Sequence, residues 1–421
     1  MGVMDDRVGA AQTDGALALA SSYRFVREVR LRPARRVEIL AYLSGAFDLA
    51  EAQPTGHAAR VAYLGYRVAE ALSLGSEERR RIMHLGLLHA TGAAMRTTDA
   101  GESAALVAER LQLDAQVAES ARAVEERWDG RGGPLGLSGV HVPLEALCVA
   151  AAHWAAEFAE RASHPLRARA ALQRVDTAEV TPVAGPEVGA ALVTVLRHDA
   201  TWLALWDDDL PAVIGVLGAG EGKPSRRKVL EVVAAIGDVV DAAVREPGRS
   251  ERVAALSHLL ASRLGMPEGF CDAIEVAGYL LDLGQLGVPR AVTEKPSILT
   301  VDEMEQMRRH PGLGARLLAG APGFDEIATW VEQHHERPDG RGYPEMLTLE
   351  ELPLPPRILC VADAYWALRA HRPYRQAFSH EDAMATLEAG AGRQFDAEVV
   401  AVLPAAVAAL EEIEQDARAA G

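Results

Sequence analysis

The chain repeats itself, and a repeat constrains the fold more than any single motif does. Three pairs of segments match in the same order along the 421 residues. RVAYLGYRVAEALSL (60–74) pairs with RVAALSHLLASRLGM (252–266), ERWDGRGGP (126–134) with ERPDGRGYP (336–344), and ALCVAAAHWA (146–155) with ILCVADAYWA (358–367). Arg60 and Arg252 lie 192 positions apart, as do Gly92 and Gly284, whereas Asp129 and Asp339 are 210 apart. The second copy therefore carries about 18 extra residues (210 − 192), around KPSILTVDEMEQMRRHPGLG (295–314). That insertion contains His310, which has no counterpart in the first copy.

The repeated unit is helical. Apolar residues recur at three- and four-residue steps in EILAYLSGAFDLA, RVAYLGYRVAEAL and DEIATWVEQHH, and almost no stretch alternates with period two. Hydrophobic residues make up 49% of the chain and aromatics only 5%, a profile that suits many alanine- and leucine-rich helices. The expected fold is all-α, two tandem helical-bundle domains. Their expected limits are 33–205 and 228–421, after a weakly patterned segment 1–32 and around a linker 206–227 in which GAGEGKPSRR (218–227) is rich in turn residues. KVLEVVAAIGDVVDAAV is expected to open the second domain. GAGEGKPS is no phosphate-binding loop, because Leu217 stands at its first glycine position and Pro224 follows the lysine.

A net charge of −17 argues against a surface built to neutralise nucleic-acid phosphates, but not against a local basic pocket for a small anion. No run of 18 apolar residues suggests a membrane span, and the N-terminus does not resemble a signal peptide, so the expected location is the cytoplasm. Cys148, Cys271 and Cys360 form no disulfide framework and read as buried thiols.

Chemistry enters where polar groups interrupt apolar faces. Ile327, Trp330, Val331, His334 and His335 share one helical stripe, so both histidines face the core. Asp282 continues the stripe of Ile274 and Gly278, and Asp363 lies between Leu359 and Trp366. Burying a carboxylate costs several kcal/mol unless it is paired or binds a metal. One such aspartate reads equally well as a helix cap or an arginine partner. Two, with His310, His334 and His335 from further segments, fit metal ligation better, and imidazole with carboxylate suits iron, manganese or zinc.

These residues carry a resemblance. From about 250 to 405 the chain resembles the HD-GYP family, a metal-dependent subset of HD phosphohydrolases typically acting on cyclic di-GMP. The matching stretches are LLDLGQLGVP (280–289), MRRHPGLGARLL (307–318), HHERPDGRGYP (334–344), ILCVADAYWAL (358–368), RPYR (372–375) and GRQFD (392–396). The resemblance implies metal ligation by Asp282, His310, His334, His335 and Asp363, with Asp282 also the candidate catalytic residue. It implies substrate binding by Tyr343, Arg372 and Arg375.

Departures qualify it. Leu281 replaces the histidine of the HD pair, Arg249 an earlier histidine, and Gln285 a lysine. The missing histidines serve mostly one metal of the family's cluster. One divalent ion, iron or manganese, is therefore expected on Asp282, His310, His334 and His335, with the Arg249 charge near the vacated position. The first copy keeps His57 and His89 but has Ala90, Val124, Glu125 and Ala151 at the other ligand positions, too few to hold a metal on this reading. Three functions stay open: a degenerate receptor for cyclic di-GMP or a related nucleotide, an active phosphodiesterase of reduced metal count, and a protein-interaction scaffold. Partners under these readings are the nucleotide, GGDEF-type or other signalling proteins, and a second copy of the chain.

Overall fold

The computed structural model describes residues 32–95, 100–371 and 375–420. Helices supply nearly all the regular structure, and among the described residues extended backbone pairs only in isolated bridges such as Asp339 with Thr348. The chain divides into two compact units, Pro33–Arg245 and Glu246–Gly421. The expected segment 1–32, apart from Arg32, lies outside the described residues.

In the N-terminal unit the main helices are α1 (Arg36–Leu43), α2 (His57–Ala71), α3 (Ser76–Leu88), α4 (Leu144–Glu160), α5 (Thr177–Leu196) and α6 (Arg226–Val244). Helices α2, α3 and α4 pack pairwise, and α5 covers α2 and α4. The spacing of Ala58, Val61, Ala62, Gly65, Val68 and Ala69 gives α2 a continuous buried stripe. Helix α5 is long and apolar enough to cross a membrane, yet 61% of its most apolar window is buried inside the fold. It is also broken at Gly185, where φ is +83°. Pro186 has no N–H for the Pro182 carbonyl, which accepts instead from Asp129 N at 3.0 Å, while Val183 O accepts from Trp128 N at 2.9 Å.

The boundary falls later in the chain than the turn residues suggested. The expected linker 206–227 contains the helix Leu210–Leu217, which buries Leu210 and Ile214 and packs on α1. Helix α6 belongs to the N-terminal unit rather than opening the second. Its Val229, Val232, Val233, Ile236 and Val240 face inward, it packs on α1, and Arg36 pairs with Glu231 at 2.5 Å. The turn signal at 218–227 was real but local. The chain leaves the unit at Arg245, Pro247 and Gly248, with both Arg245 and Gly248 in the left-handed region.

The C-terminal unit contains α7 (Arg249–Arg263), α8 (Glu268–Leu280), a tight turn over Leu283–Gly287, α9 (His310–Leu318), α10 (Asp325–Glu332), α11 (Leu354–Arg369), α12 (His380–Gly390) and α13 (Ala397–Ala420). Helix α7 packs on α8, α11 and α13, while α9 sits between α10 and the Leu283–Gly287 turn. Cys148 and Cys271 are buried as expected, whereas Cys360 is only part-buried.

Local geometry recurs between the units. A Cβ on Gly86 would lie 2.6 Å from the Ala62 Cα, and one on Gly278 would lie 2.6 Å from the Ala254 Cα. Each helix pair α2–α3 and α7–α8 therefore crosses so closely that only glycine fits.

Candidate metal centre

Helix ends deliver the site in the C-terminal unit. Asp282 follows α8, His310 is the first residue of α9, His334 and His335 follow α10, Asp363 lies within α11, and Arg249 opens α7. At Gly284 an added Cβ would land on the His310 carbonyl, so this glycine lets α9 dock against the Asp282 turn.

Backbone carbonyls fix the histidine tautomers. His310 Nδ1 lies 2.8 Å from Met307 O, and His334 Nδ1 lies 2.6 Å from Val331 O. A carbonyl only accepts, so each Nδ1 carries the proton and each Nε2 presents a lone pair. Those two Nε2 atoms are 3.3 Å apart, and His310 Nε2 is 3.3 Å from Asp282 Oδ1. The ligand nitrogen of His335 joins them, all three imidazoles offering atoms within 4.8 Å of one another. Acceptors that converge without a proton between them repel unless a cation intervenes. The donor set of three imidazoles and a carboxylate thus fits a divalent transition metal. Burial pushes His310 down to about 4, opposed in part by Asp282. Burial and the neighbouring His334 and His310 rings hold His335 well below its ordinary value. Both are therefore neutral near pH 7, the form that ligates.

Arg249 occupies the other side. Its guanidinium donates to Asp282 Oδ2 through Nη1 and to Asp363 Oδ1 through Nη2, and its Nε lies 3.3 Å from Glu246 Oε2. Arg249, Asp282 and Asp363 are all buried. Burial raises the Asp282 carboxyl, but Arg249 and the three imidazoles more than offset it and hold the group well below the usual carboxylate range. The remaining Asp282 oxygen also accepts from Gln285 Nε2 at 2.5 Å. The expected Asp363 ligand is joined to Asp282 through this arginine.

The loop after His335 is built on a buried acid. Glu336 accepts from the backbone N–H groups of Glu345, Met346 and Leu347 at 2.5, 3.0 and 3.0 Å. Tyr343, held in that loop, stacks on His335 with ring centroids 4.7 Å apart and planes at 28°. Arg308 also approaches this ring, its guanidinium carbon 5.2 Å from the Tyr343 centroid. Arg375 donates to the carbonyls of Ala367 and Leu368 and covers the Phe378 ring, so its described contacts cap α11. Arg372 lies outside the described residues.

Sequence reasoning missed Arg308, although it stands two residues before His310, and missed Glu336, whose exact counterpart Glu126 holds Leu135, Gly136 and Leu137 in the N-terminal unit. It also missed His153. In that unit His57, His89 and His153 form a second cluster, correcting the expectation that too few ligands remain there.

Residues 238–399 match the HD domain family. The C-terminal unit is an HD domain of the HD-GYP type. The chain is 42% identical over 165 residues to the cyclic di-GMP phosphodiesterase response regulator RpfG of Xanthomonas campestris, a match covering 39% of this chain and 44% of that protein. The 3'3'-cGAMP-specific phosphodiesterase 3 of Vibrio cholerae is 29% identical over 306 residues, covering 72% of this chain and 65% of its own length. The chain spans less than two thirds of the length of either relative. A crystal structure of a cyclic GMP-AMP phosphodiesterase from V. cholerae, V-cGAP3, superposes with a TM-score of 0.62 at 22% identity, covering 89% of this chain and 98% of that one, which establishes a shared fold.

Proposed function

We propose that the HD domain is a receptor for cyclic di-GMP or a related cyclic dinucleotide, with a metal site reduced to one ion and hydrolysis weak or absent. The observation that carries this reading is the Arg249 bridge. A fixed guanidinium already pairs with both Asp282 and Asp363 and offsets one of their two charges, where a second metal ion would otherwise be needed between two buried carboxylates. Asp282, His310, His334 and His335 would hold the remaining ion. Such an ion, when bound, acts as a Lewis acid and lowers the pKa of bound water. The relatives' names supply the ligand class. Tyr343, with Arg308 beside it, offers a flat aromatic face and a guanidinium suited to a base and a phosphate, and Arg372 and Arg375 remain candidates for phosphate contact. The N-terminal unit is read as a diverged copy of the HD domain, supported by the recurring Gly86/Gly278 and Glu126/Glu336 arrangements.

The test combines metal analysis of the purified chain with cyclic di-GMP binding and cleavage assays. Binding without linear product supports the receptor. Rapid product formation would overturn it in favour of an active phosphodiesterase, the reading favoured by the intact spacing of Asp282, His310 and His334. Neither metal nor nucleotide would leave a scaffold. His334→Ala should remove the ion held by this site.

A further inference from the structure

We propose that the N-terminal unit carries its own transition-metal site, formed by His57, His89 and His153 and opening onto a cavity beside α4. The three ligands come from three packed helices: His57 begins α2, His89 follows α3, and His153 lies in α4. Their inward nitrogens form a nearly equilateral triangle. His57 Nε2 is 3.1 Å from His153 Nδ1, His153 Nδ1 is 3.2 Å from His89 Nε2, and His89 Nε2 is 3.4 Å from His57 Nε2. With metal–nitrogen bonds of about 2.0–2.1 Å, tetrahedral ligation separates nitrogens by about 3.3–3.4 Å and octahedral ligation by about 2.8–3.0 Å. The observed triangle falls across that interval.

Outer contacts fix the lone pairs inward. His89 Nδ1 donates to Gly86 O at 2.7 Å. His57 Nδ1 donates to Glu160 Oε2 at 2.9 Å, and Glu160 is itself held by Arg60 at 2.7 Å. Histidine ligands of metals are oriented in this way by a carbonyl or a carboxylate on the opposite nitrogen. His57 and His89 thus both aim acceptors at one point, and His153 has only one Nδ1 proton to offer between them. A cation resolves all three contacts at once. Burial and the adjacent rings also keep His89 well below its ordinary value, favouring the neutral, ligating form.

The site is open on one side, as His153 is part-exposed. A cavity of roughly 450 Å³ reaches both His89 and His153 and is lined by Glu51, Glu125, Glu126 and Glu157 against one cationic side chain, Arg127. Such a lining disfavours a phosphodiester and suits a cation with an exchangeable fourth ligand. This site therefore binds metal and no cyclic nucleotide, and the assignment stands independently of the function of the HD domain.

The test uses the full chain, stripped with chelator and titrated with Co(II), whose visible absorption reports imidazole coordination. His153→Ala should lower bound Co(II) by one equivalent per chain while leaving helical circular dichroism and cyclic di-GMP affinity unchanged. Conversely, His334→Ala combined with His335→Ala should leave one equivalent bound. X-ray absorption of that double variant should show three imidazole nitrogens. Unchanged stoichiometry in the folded His153→Ala variant would overturn the proposal. So would the absence of Co(II) from the double variant while its N-terminal helices remain folded. If His153→Ala does not fold, His153→Gln replaces it with the same criterion.

Discussion

Arg249→Leu tests the HD domain at its most loaded point. The substitution keeps only an apolar stem at the start of α7 and removes the guanidinium, leaving Asp282 and Asp363 as buried carboxylates without their shared cation. Removing one member of a buried ion pair costs about 3–5 kcal/mol, because the uncompensated charge stays behind. A domain of this size loses about 2–4 °C in melting temperature per kcal/mol, so the HD-domain transition should fall by about 6–20 °C. Calorimetry in chelator is the appropriate assay, since added metal would supply the missing charge. The triple variant Arg249→Leu, Asp282→Asn, Asp363→Asn should recover at least half of the loss, because neutral groups need no cation. The loss should also shrink as pH falls through the carboxylate range, where protonation neutralises the two aspartates. A shift of less than about 1 kcal/mol for Arg249→Leu, or a triple variant that melts lower still, would refute the idea that this arginine stands in for an ion.

Four further outcomes follow from the same geometry. Arg249→His with Leu281→His should raise metal content by about one ion per chain, read by elemental analysis; an unchanged value would mean that the loss of ligation extends beyond those positions. In chelator, stability should be full above about pH 6.5 and decline as pH falls toward 4, because the unfolded chain takes up protons that buried His310 refuses; chemical denaturation across that window checks the sign. Gly284→Ala should displace α9 from the Asp282 turn and abolish the ion on His310, leaving one equivalent of Co(II) on the N-terminal cluster. Tyr343→Ala should weaken cyclic di-GMP binding by roughly tenfold, the effect of about 1–2 kcal/mol for a lost base-stacking face, measured by calorimetric titration.

Much of this architecture is legible in the amino-acid sequence. The repeat offsets, the period of the apolar residues and the position of His334 and His335 on a buried stripe specified tandem helical bundles and the imidazole cluster. What escaped depended on distance in the chain. Arg249 precedes Asp282 by 33 residues and Asp363 by 114, so a charge near the site was foreseeable but a two-pronged bridge was not. His153 stands on an alanine-rich helix far in the chain from His57 and His89; only the convergence of three helices brings it beside them. Turn residues misplaced the domain boundary, because glycine and proline mark any local break, while the apolar face of α6 decides which core that helix joins.

Glu336 bears on how such a site can lose its chemistry. The loop carrying Tyr343 draws its shape from one carboxylate bound to three amides, and none of those groups is a candidate metal ligand. The same clasp persists around Glu126, where most of the surrounding ligand positions hold other residues. Folding alone is thus sufficient reason to retain the loop. An intact loop of this kind is therefore specified by its own hydrogen bonds, and by itself says nothing about turnover.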